Sequence, residues 1–174
     1  QFLGDEAVRG GRLPQCVPTL TALPAQPPAA LQLDDLMPSF LDQHKGVVGF
    51  RRSFEGNPLT LGGNTFQRGL GVRAPSVIEY ELNGQYNTFR ATVGIDLEDQ
   101  VKVSEARSKG EYVQFLVFGD GRRLFASEWM RWNSRPAAIE VDVRDVKTLQ
   151  LKVECSAKRW LVGSADWAEA RVER

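Results

Sequence analysis

The stretch GLGVRAPSVIEYEL, residues 69–82, decides the fold class. In its second half the apolar residues Ile78, Tyr80 and Leu82 alternate with more polar positions, which is the period of a strand with one buried face. In its first half two glycines stand one residue apart, and glycine lets a chain bend or pass close to another segment. A glycine-rich bend that feeds directly into an alternating strand predicts a β protein.

The rest of the chain continues this β pattern. Alternating or continuously apolar runs occupy residues 87–96, 112–118, 138–143 and 148–155. In the run YVQFLVF, residues 112–118, both faces are apolar except at Gln114, which predicts an interior strand covered on both sides. We therefore predict an all-β antiparallel β-sandwich or jelly roll.

The connections follow from turn chemistry. Asp120-Gly121 predicts a tight hairpin, and Asn83-Gly84 predicts another turn. The polar link 144–147 is short enough to join an antiparallel pair of strands, and 104–111 is polar and interrupted by glycine, as in a loop. Near Pro38, residues 33–46 leave room for one helical turn.

The length, charge and composition of the chain restrict its function. The 174 residues suit one domain, with or without an arm, and the 22 basic and 22 acidic side chains balance. A neutral chain lacks the basic surplus that general binding to nucleic acid requires. No apolar run approaches the ~20 residues that cross a bilayer. One His, no Gly-x-Ser-x-Gly sequence and no phosphate loop indicate that the domain is not an enzyme.

The N-terminal segment differs in composition. Five of the nine prolines lie between Pro14 and Pro28, and proline favours extended chain. We predict an extended arm or linker over residues 1–31 and a β-sandwich domain over 32–174. The two cysteines, Cys16 and Cys155, form a disulfide in one interpretation and remain two thiols in the other.

Several motifs in order resemble the NPCBM family. They are LTLGGNTFQRGLGVRAPSVIEYEL in residues 59–82, VGID in 93–96, VQFLVFGDGRRLFAS in 113–127, and ADWAEARV in 165–172, with LDDL in 33–36 similar to the opening strand. The resemblance covers about residues 33–174. It implies a galactose-binding-like jelly roll, of the kind that serves bacterial glycoside hydrolases and envelope proteins as a carbohydrate-binding module outside the cytoplasm. It also implies galactose-type sugars as ligands and, in related jelly rolls, a structural calcium ion.

Two positions depart from the family pattern. Arg73 stands where the family usually has His, and Gly163-Ser164 stands where it usually has Asp-His. The framework is kept while polar positions change, so fold is better determined than ligand.

The candidate sugar site combines aromatic platforms with polar partners for hydroxyl groups. Trp132 or Trp160 would stack on a sugar ring, and Arg73, Asp96 or Arg131 would bond its hydroxyls. The alternative for each tryptophan is that it caps the core, and for Arg73 that it pairs with an acid such as Glu79 or Asp96. The candidate carbohydrate-binding residues are Arg73, Asp96, Trp129, Arg131, Trp132 and Trp160.

A possible calcium site comprises Asp34, Asp166 and Glu169, in the first and last strands that related jelly rolls bring together. The alternative for these acids is a structural hydrogen bond.

Two functions are consistent with these features. The first is a non-catalytic carbohydrate-binding module of a bacterial extracellular, periplasmic or cell-envelope protein. The second is a jelly-roll subunit that has lost sugar binding and docks on a protein partner through its N-terminal arm.

Overall fold

The computed structural model describes residues 18–44, 46–96, 112–156 and 164–174. These residues form thirteen strands. They are β1 (Ala30–Gln32), β2 (Phe40–Gln43), β3 (Gly49–Phe50), β4 (Leu59–Leu61), β5 (Asn64–Phe66), β6 (Gly69–Arg73), β7 (Ser76–Glu81), β8 (Thr88–Ile95), β9 (Val113–Gly119), β10 (Arg122–Ala126), β11 (Ala137–Asp142), β12 (Thr148–Cys155) and β13 (Ser164–Glu173).

Two antiparallel sheets pack face to face. The first sheet has the order β11-β8-β13-β6-β3, and β1 pairs with the C-terminal part of β13. The second sheet has the order β10-β9-β12-β7-β2. This all-β sandwich confirms the predicted fold class. The described residues include no helix long and apolar enough to cross a membrane.

The core lies between the inner faces of the two sheets. Trp167 on β13 is fully buried there, with its ring edge-on to Phe115 at 5.0 Å between centroids and tilted against Phe89 at 6.2 Å. Aromatic pairs in this geometry are favourable beyond the apolar area that they bury. Trp167 is therefore a core residue, which agrees with the interpretation of the tryptophans as core residues rather than sugar platforms.

The alternation in the opening stretch is confirmed. Ile78, Tyr80 and Leu82 are buried. Gly69 and Gly71 permit close passage, because a Cβ on Gly69 would lie 2.4 Å from the Trp167 carbonyl oxygen and one on Gly71 would lie 2.4 Å from the Arg52 carbonyl oxygen. Neither backbone group can move aside easily, so any larger residue here would separate the elements.

Both predicted turns are confirmed. Asp120 and Gly121 have φ of 50° and 78° and join β9 to β10, while Asn83 and Gly84 have φ of 52° and 69° between β7 and β8. At Asp120-Gly121, positive φ at both central residues matches the twist of the paired hairpin strands β9 and β10. The Asn83-Gly84 turn instead carries the chain from one sheet to the other. The 112–118 run is also confirmed as an interior strand, since β9 lies between β10 and β12.

Three local predictions were wrong. The link 144–147 does not join a pair of neighbouring strands, because β11 pairs with β8 in the first sheet while β12 pairs with β7 and β9 in the second. Residues 33–35 form a turn and Leu36 makes an isolated β-bridge to Thr21, so 33–36 is not the opening strand, which is Ala30–Gln32. Around Pro38 the chain is not helical. The predicted loop 104–111 lies outside the described residues.

The described part of the N-terminal segment contacts the sandwich. The Thr21 backbone N–H donates to the Asp35 carbonyl, and the Met37 N–H donates to the Thr21 carbonyl. Leu20 and Leu23 pack against the core, and β1 spans the predicted boundary between arm and domain.

A small hairpin covers the outer face of the first sheet. Strands β4 and β5 form this 59–66 hairpin around Gly62-Gly63, both with positive φ. Leu59 and Leu61 are fully buried but lie outside the main core. A Cβ on Gly94 of β8 would lie 3.1 Å from Leu61, so the missing side chain lets the hairpin sit directly on the sheet.

Candidate functional site

Arg73 and Asp96 lie in one row at one end of the first sheet. Arg73 ends β6 opposite Ser164 on β13, and the Asp96 N–H donates to the Ser164 carbonyl at 2.8 Å. Antiparallel pairing thus brings Arg73 and Asp96 together with Ser164, so both departures from the family pattern are represented in this row.

Arg73 takes part in packing. Its guanidinium lies over the Phe54 ring, 5.3 Å from the centroid, and its backbone N–H donates to Gln43 Oε1 at 2.9 Å. A cation above an aromatic face is attracted by the ring quadrupole. Glu79, one of the acids proposed as a partner, accepts a hydrogen bond from Gln150 instead.

Asp96 is 4% exposed, and its Oδ2 accepts the Thr60 backbone N–H at 2.9 Å. It therefore fixes β4, the inner strand of the 59–66 hairpin, to the end of β8. This bond holds the hairpin at the end of the sheet, and the carboxylate is not presented to solvent.

The residues of the tryptophan-containing segment after β10 differ in their burial. Trp129 is 45% exposed, so it does not cap the core. Met130 pairs with Val113 at the start of β9 and is buried. Arg131 is exposed, and its N–H donates to Ser134 Oγ in a tight turn. Trp160 lies outside the described residues.

Trp132 lines an open cleft of about 600 Å³ on the outer side of the first sheet. We call it the aromatic cleft. Its walls come from the 59–66 hairpin, from β8 and from the segment before β11, and its lining residues are Leu61, Gly62, Asn64, Phe66, Thr92, Trp132, Asn133, Ser134, Arg135 and Pro136.

Hairpin register explains why Phe66 and Asn64 face this cleft. Leu59 pairs with Phe66 and Leu61 pairs with Asn64, and directly paired residues of an antiparallel hairpin project from the same face. Leu59 and Leu61 are buried against the first sheet. Phe66 and Asn64 therefore also point toward this sheet, at the edge of the area that the hairpin covers.

The lining suits a sugar. Phe66 and Trp132 are half-buried aromatic rings, and Asn64, Thr92, Asn133 and Ser134 supply neutral donors and acceptors. A mainly apolar cleft with a few polar side chains is the usual form of a small-molecule site. The lining residues missed from the sequence include Asn64, Phe66, Thr92, Asn133, Ser134 and Arg135. The Gly-Gly turn and the alternation of LTLGGNTF carried a signal for the first two.

The predicted metal ligand Asp34 lies in an ion cluster. Asp34 is fully buried, its Oδ2 accepts the Gly69 N–H at 2.8 Å, and its Oδ1 lies 2.5 Å from Arg68 Nη2. Arg68 also contacts Asp35 at 2.5 Å, and Arg51 contacts Asp35. We call these four residues the Asp34 cluster.

Protonation in the cluster reflects burial and charge. Burial raises the pKa of Asp34, against the hydrogen bonds from Gly69 and Arg68. The pKa of Asp35 is lowered, since hydrogen bonds from Arg68 and Arg51 and their charges together outweigh the effect of its burial. The cluster fastens the turn after β1 to the start of β6.

The structure does not bring Asp34, Asp166 and Glu169 into one metal site. Within residues 18–44, 46–96, 112–156 and 164–174, no group of three or more His, Cys, Asp or Glu side chains is placed to hold a metal ion. Asp166 is buried on β13 opposite Gly71, and the Glu169 N–H donates to the Arg68 carbonyl. Calcium binding stays a prediction.

The proposed disulfide also stays a prediction. Cys155 is half-buried at the end of β12, and Cys16 lies outside the described residues.

Comparison with known sequences identifies a family. The family model described as the NPCBM/NEW2 domain matches residues 29–173. A Renibacterium salmoninarum protein named "Putative endo-alpha-N-acetylgalactosaminidase" is 38% identical over 117 residues, which are 67% of this chain and 7% of that protein. The chain thus spans a small part of the length of this relative.

Comparison with solved structures gives the same fold. The CBM51-2 and INT domains of Clostridium perfringens ZmpB are 30% identical, with a TM-score of 0.73 over 83% of this chain and 31% of that one, and the same domains were also solved with CBM51-2 in complex with GlcNAc. The CBM51 of Clostridium perfringens GH95, in complex with methyl-galactose, is 23% identical, with a TM-score of 0.72 over 82% of this chain and 99% of that one.

Proposed function

The chain belongs to the NPCBM/NEW2 domain family, and we propose that it is a non-catalytic carbohydrate-binding module that holds a terminal sugar in the aromatic cleft. The sugar is of galactose type or a related hexose. The observation that carries this proposal is the placement of two aromatic rings, Phe66 and Trp132, with amide and hydroxyl side chains around one open cleft.

Sugar recognition requires both kinds of group. The apolar face of a pyranose ring loses contact with water when it packs on an aromatic ring, and burial of such area is favourable. Its hydroxyl groups need partners, since a polar group buried without one costs roughly 1–3 kcal/mol. Asn64, Thr92 and Asn133 supply donors and acceptors close to the two rings.

The cleft is preformed by structural contacts. Asp96 holds Thr60 of the hairpin, and a Cβ on Gly62 would lie 3.0 Å from Pro136 of the opposite wall. Rigid walls lower the conformational entropy lost on binding. We therefore assign Asp96 a positioning role. Arg131, Arg73 and Trp160 remain candidates for contacts beyond the cleft, whereas Trp129 is exposed and does not line it.

The comparisons support a glycan ligand and a place outside the cytoplasm. A 30% identical module binds GlcNAc, and the Renibacterium relative is named for action on N-acetylgalactosaminides. We propose a bacterial extracellular, periplasmic or envelope setting, with residues 32–174 as the binding module and 1–31 as its arm. The contacts of Leu20, Thr21 and Leu23 with their own domain support this role over docking through residues 18–31.

The test is a glycan-array screen followed by calorimetric titration of wild-type protein, Trp132→Ala and Phe66→Ala. We expect each substitution to weaken binding by about tenfold or more, because each removes aromatic area that covers the sugar ring. Titrations with calcium and with a chelator test the predicted metal in the same experiment.

Trp129→Ala is the matched control, because Trp129 is exposed and does not line the cleft. Its affinity should equal that of the wild type. If the folded wild type bound no glycan, or if only Trp129→Ala lost binding, the proposed site would be wrong.

A further inference from the structure

The charge of the aromatic cleft indicates which sugars it prefers. Arg135 is its one ionisable lining residue in the part of the chain that the structure describes, and no Asp or Glu lines it. We propose that the cleft binds an anionic sugar residue, one that bears a carboxylate or a sulfate group, in preference to its neutral parent. This inference rests on the proposed function.

The state of Arg135 distinguishes it from the arginines of the ion clusters. Arg51, Arg68, Arg90, Arg144 and Arg171 each lie within 4 Å of a carboxylate. Arg135 is exposed and makes no such pair among the described residues. Its guanidinium is therefore available to a ligand, while the other five are already neutralised by their own chain.

The neighbouring residues add to the positive potential. Arg131, four residues earlier, is also exposed and adds a second positive charge. The backbone near Arg135 is restricted as well, because the Arg131 N–H donates to Ser134 Oγ at 2.9 Å and closes the turn that precedes Arg135. Pro136 follows, packed toward Gly62. The turn and the proline restrict the backbone on both sides of Arg135, which holds the base of its side chain at the cleft wall.

Guanidinium chemistry fits an oxyanion. Its planar fork of donors matches carboxylate and sulfate oxygens and forms two parallel charge-assisted bonds. A neutral sugar offers hydroxyls, which gain less from a full positive charge. Phe66 and Trp132 would still take the ring, so Arg135 decides among sugars rather than creating the site.

The experiment compares matched glycan pairs by titration calorimetry on the whole chain. One pair is lactose and its sialylated form, which adds a carboxylate, and the other is N-acetylglucosamine and its 6-sulfate. We expect at least one anionic member to bind about tenfold tighter than its parent. The preference should shrink as salt rises, since screening weakens exposed charge pairs.

Arg135→Gln should reduce the preference to about one while the neutral parent keeps its affinity, and Arg135→Lys should restore part of it. Arg123→Gln, at an exposed arginine on β10 outside the cleft, is the control. Equal binding of both members of each pair by wild-type protein, lost in Trp132→Ala, would overturn the charge preference and leave the proposed function intact. No binding of any glycan would instead overturn the proposed function.

Discussion

The Asp34 cluster and the aromatic cleft differ in what their charged and polar side chains do. The cluster pairs them with one another, whereas the cleft leaves them exposed. In the cluster, Asp34 is fully buried and Arg68 bridges it to Asp35, so the charges neutralise one another. In the cleft, Arg135 and Asn64 are exposed beside aromatic rings. The comparison teaches that whether a polar residue serves stability or binding depends on which partners the fold has already supplied.

The largest expected effect is on stability at the cluster. Arg68→Met removes the cation that is hydrogen-bonded to the buried Asp34 carboxylate and leaves only Arg51, whose Nε lies 3.8 Å from Asp34 Oδ2. This change should lower the free energy of unfolding by about 3–5 kcal/mol. Urea denaturation measures it. Arg144→Met is the control, because the Arg144–Asp142 pair is exposed and such pairs contribute roughly 0–1 kcal/mol. Equal losses in the two variants would contradict a structural role for the cluster.

A second prediction compares Gly71, on β6, with Gly94, which lies under the hairpin of the cleft. A Cβ at Gly71 would meet the Arg52 backbone at 2.4 Å, whereas one at Gly94 would meet the Leu61 side chain at 3.1 Å. Gly71→Ala should cost about 1–3 kcal/mol by overpacking, measured by thermal or urea unfolding.

Gly94→Ala should cost less stability, because the Leu61 side chain can shift, but it should displace the hairpin and weaken glycan binding. If Gly94→Ala left affinity unchanged, the hairpin would not be a wall of the binding site.

A third prediction concerns the cleft alone. Asn64 is exposed and faces the cleft, so Asn64→Ala should leave unfolding within about 0.5 kcal/mol of wild type. Glycan affinity should fall by about two- to tenfold, the value of one hydrogen bond. Thr65→Ala, at an exposed neighbour on the opposite face of the hairpin, should leave both quantities unchanged.

The smallest effect is a pH dependence at the β9–β10 turn. The N–H groups of Thr148 and Lys147 lower the pKa of Asp120. A depressed native pKa adds stability above the unfolded value, and this stability is lost as pH falls through the native pKa. In Asp120→Asn the free energy of unfolding should therefore fall less steeply with falling pH below about pH 4. Denaturation at several pH values measures this dependence.

Asp142 is the control for this turn. Its own neighbour Arg144 lowers its pKa to about 2, and a partner two residues away is also close in the unfolded chain. Asp142→Asn should therefore change the acid limb less than Asp120→Asn, whose partners are 28 and 27 residues distant. The reverse order would contradict this explanation.

Local features were predicted because their causes are local. The alternation of Ile78, Tyr80 and Leu82 and the Asp120-Gly121 turn follow from the period of a strand and from the φ that a tight turn demands. The family resemblance, now shown for residues 29–173, extended these features to the whole sandwich. Strand pairing failed at 144–147, because a short polar link looks the same whether it joins two neighbours or crosses between sheets.

The sequence by itself determined the β-sandwich, its family and the residue types suited to a sugar, because side-chain period, turn residues and motif order are written along the chain. Only the tertiary structure decided which of those residues meet. Phe66 and Trp132 are far apart in sequence and line one cleft because the hairpin folds across the first sheet, whereas Asp96 is buried and accepts the Thr60 N–H. These contacts depend on packing between segments that are distant in sequence, which cannot be predicted from local periodicity or residue spacing.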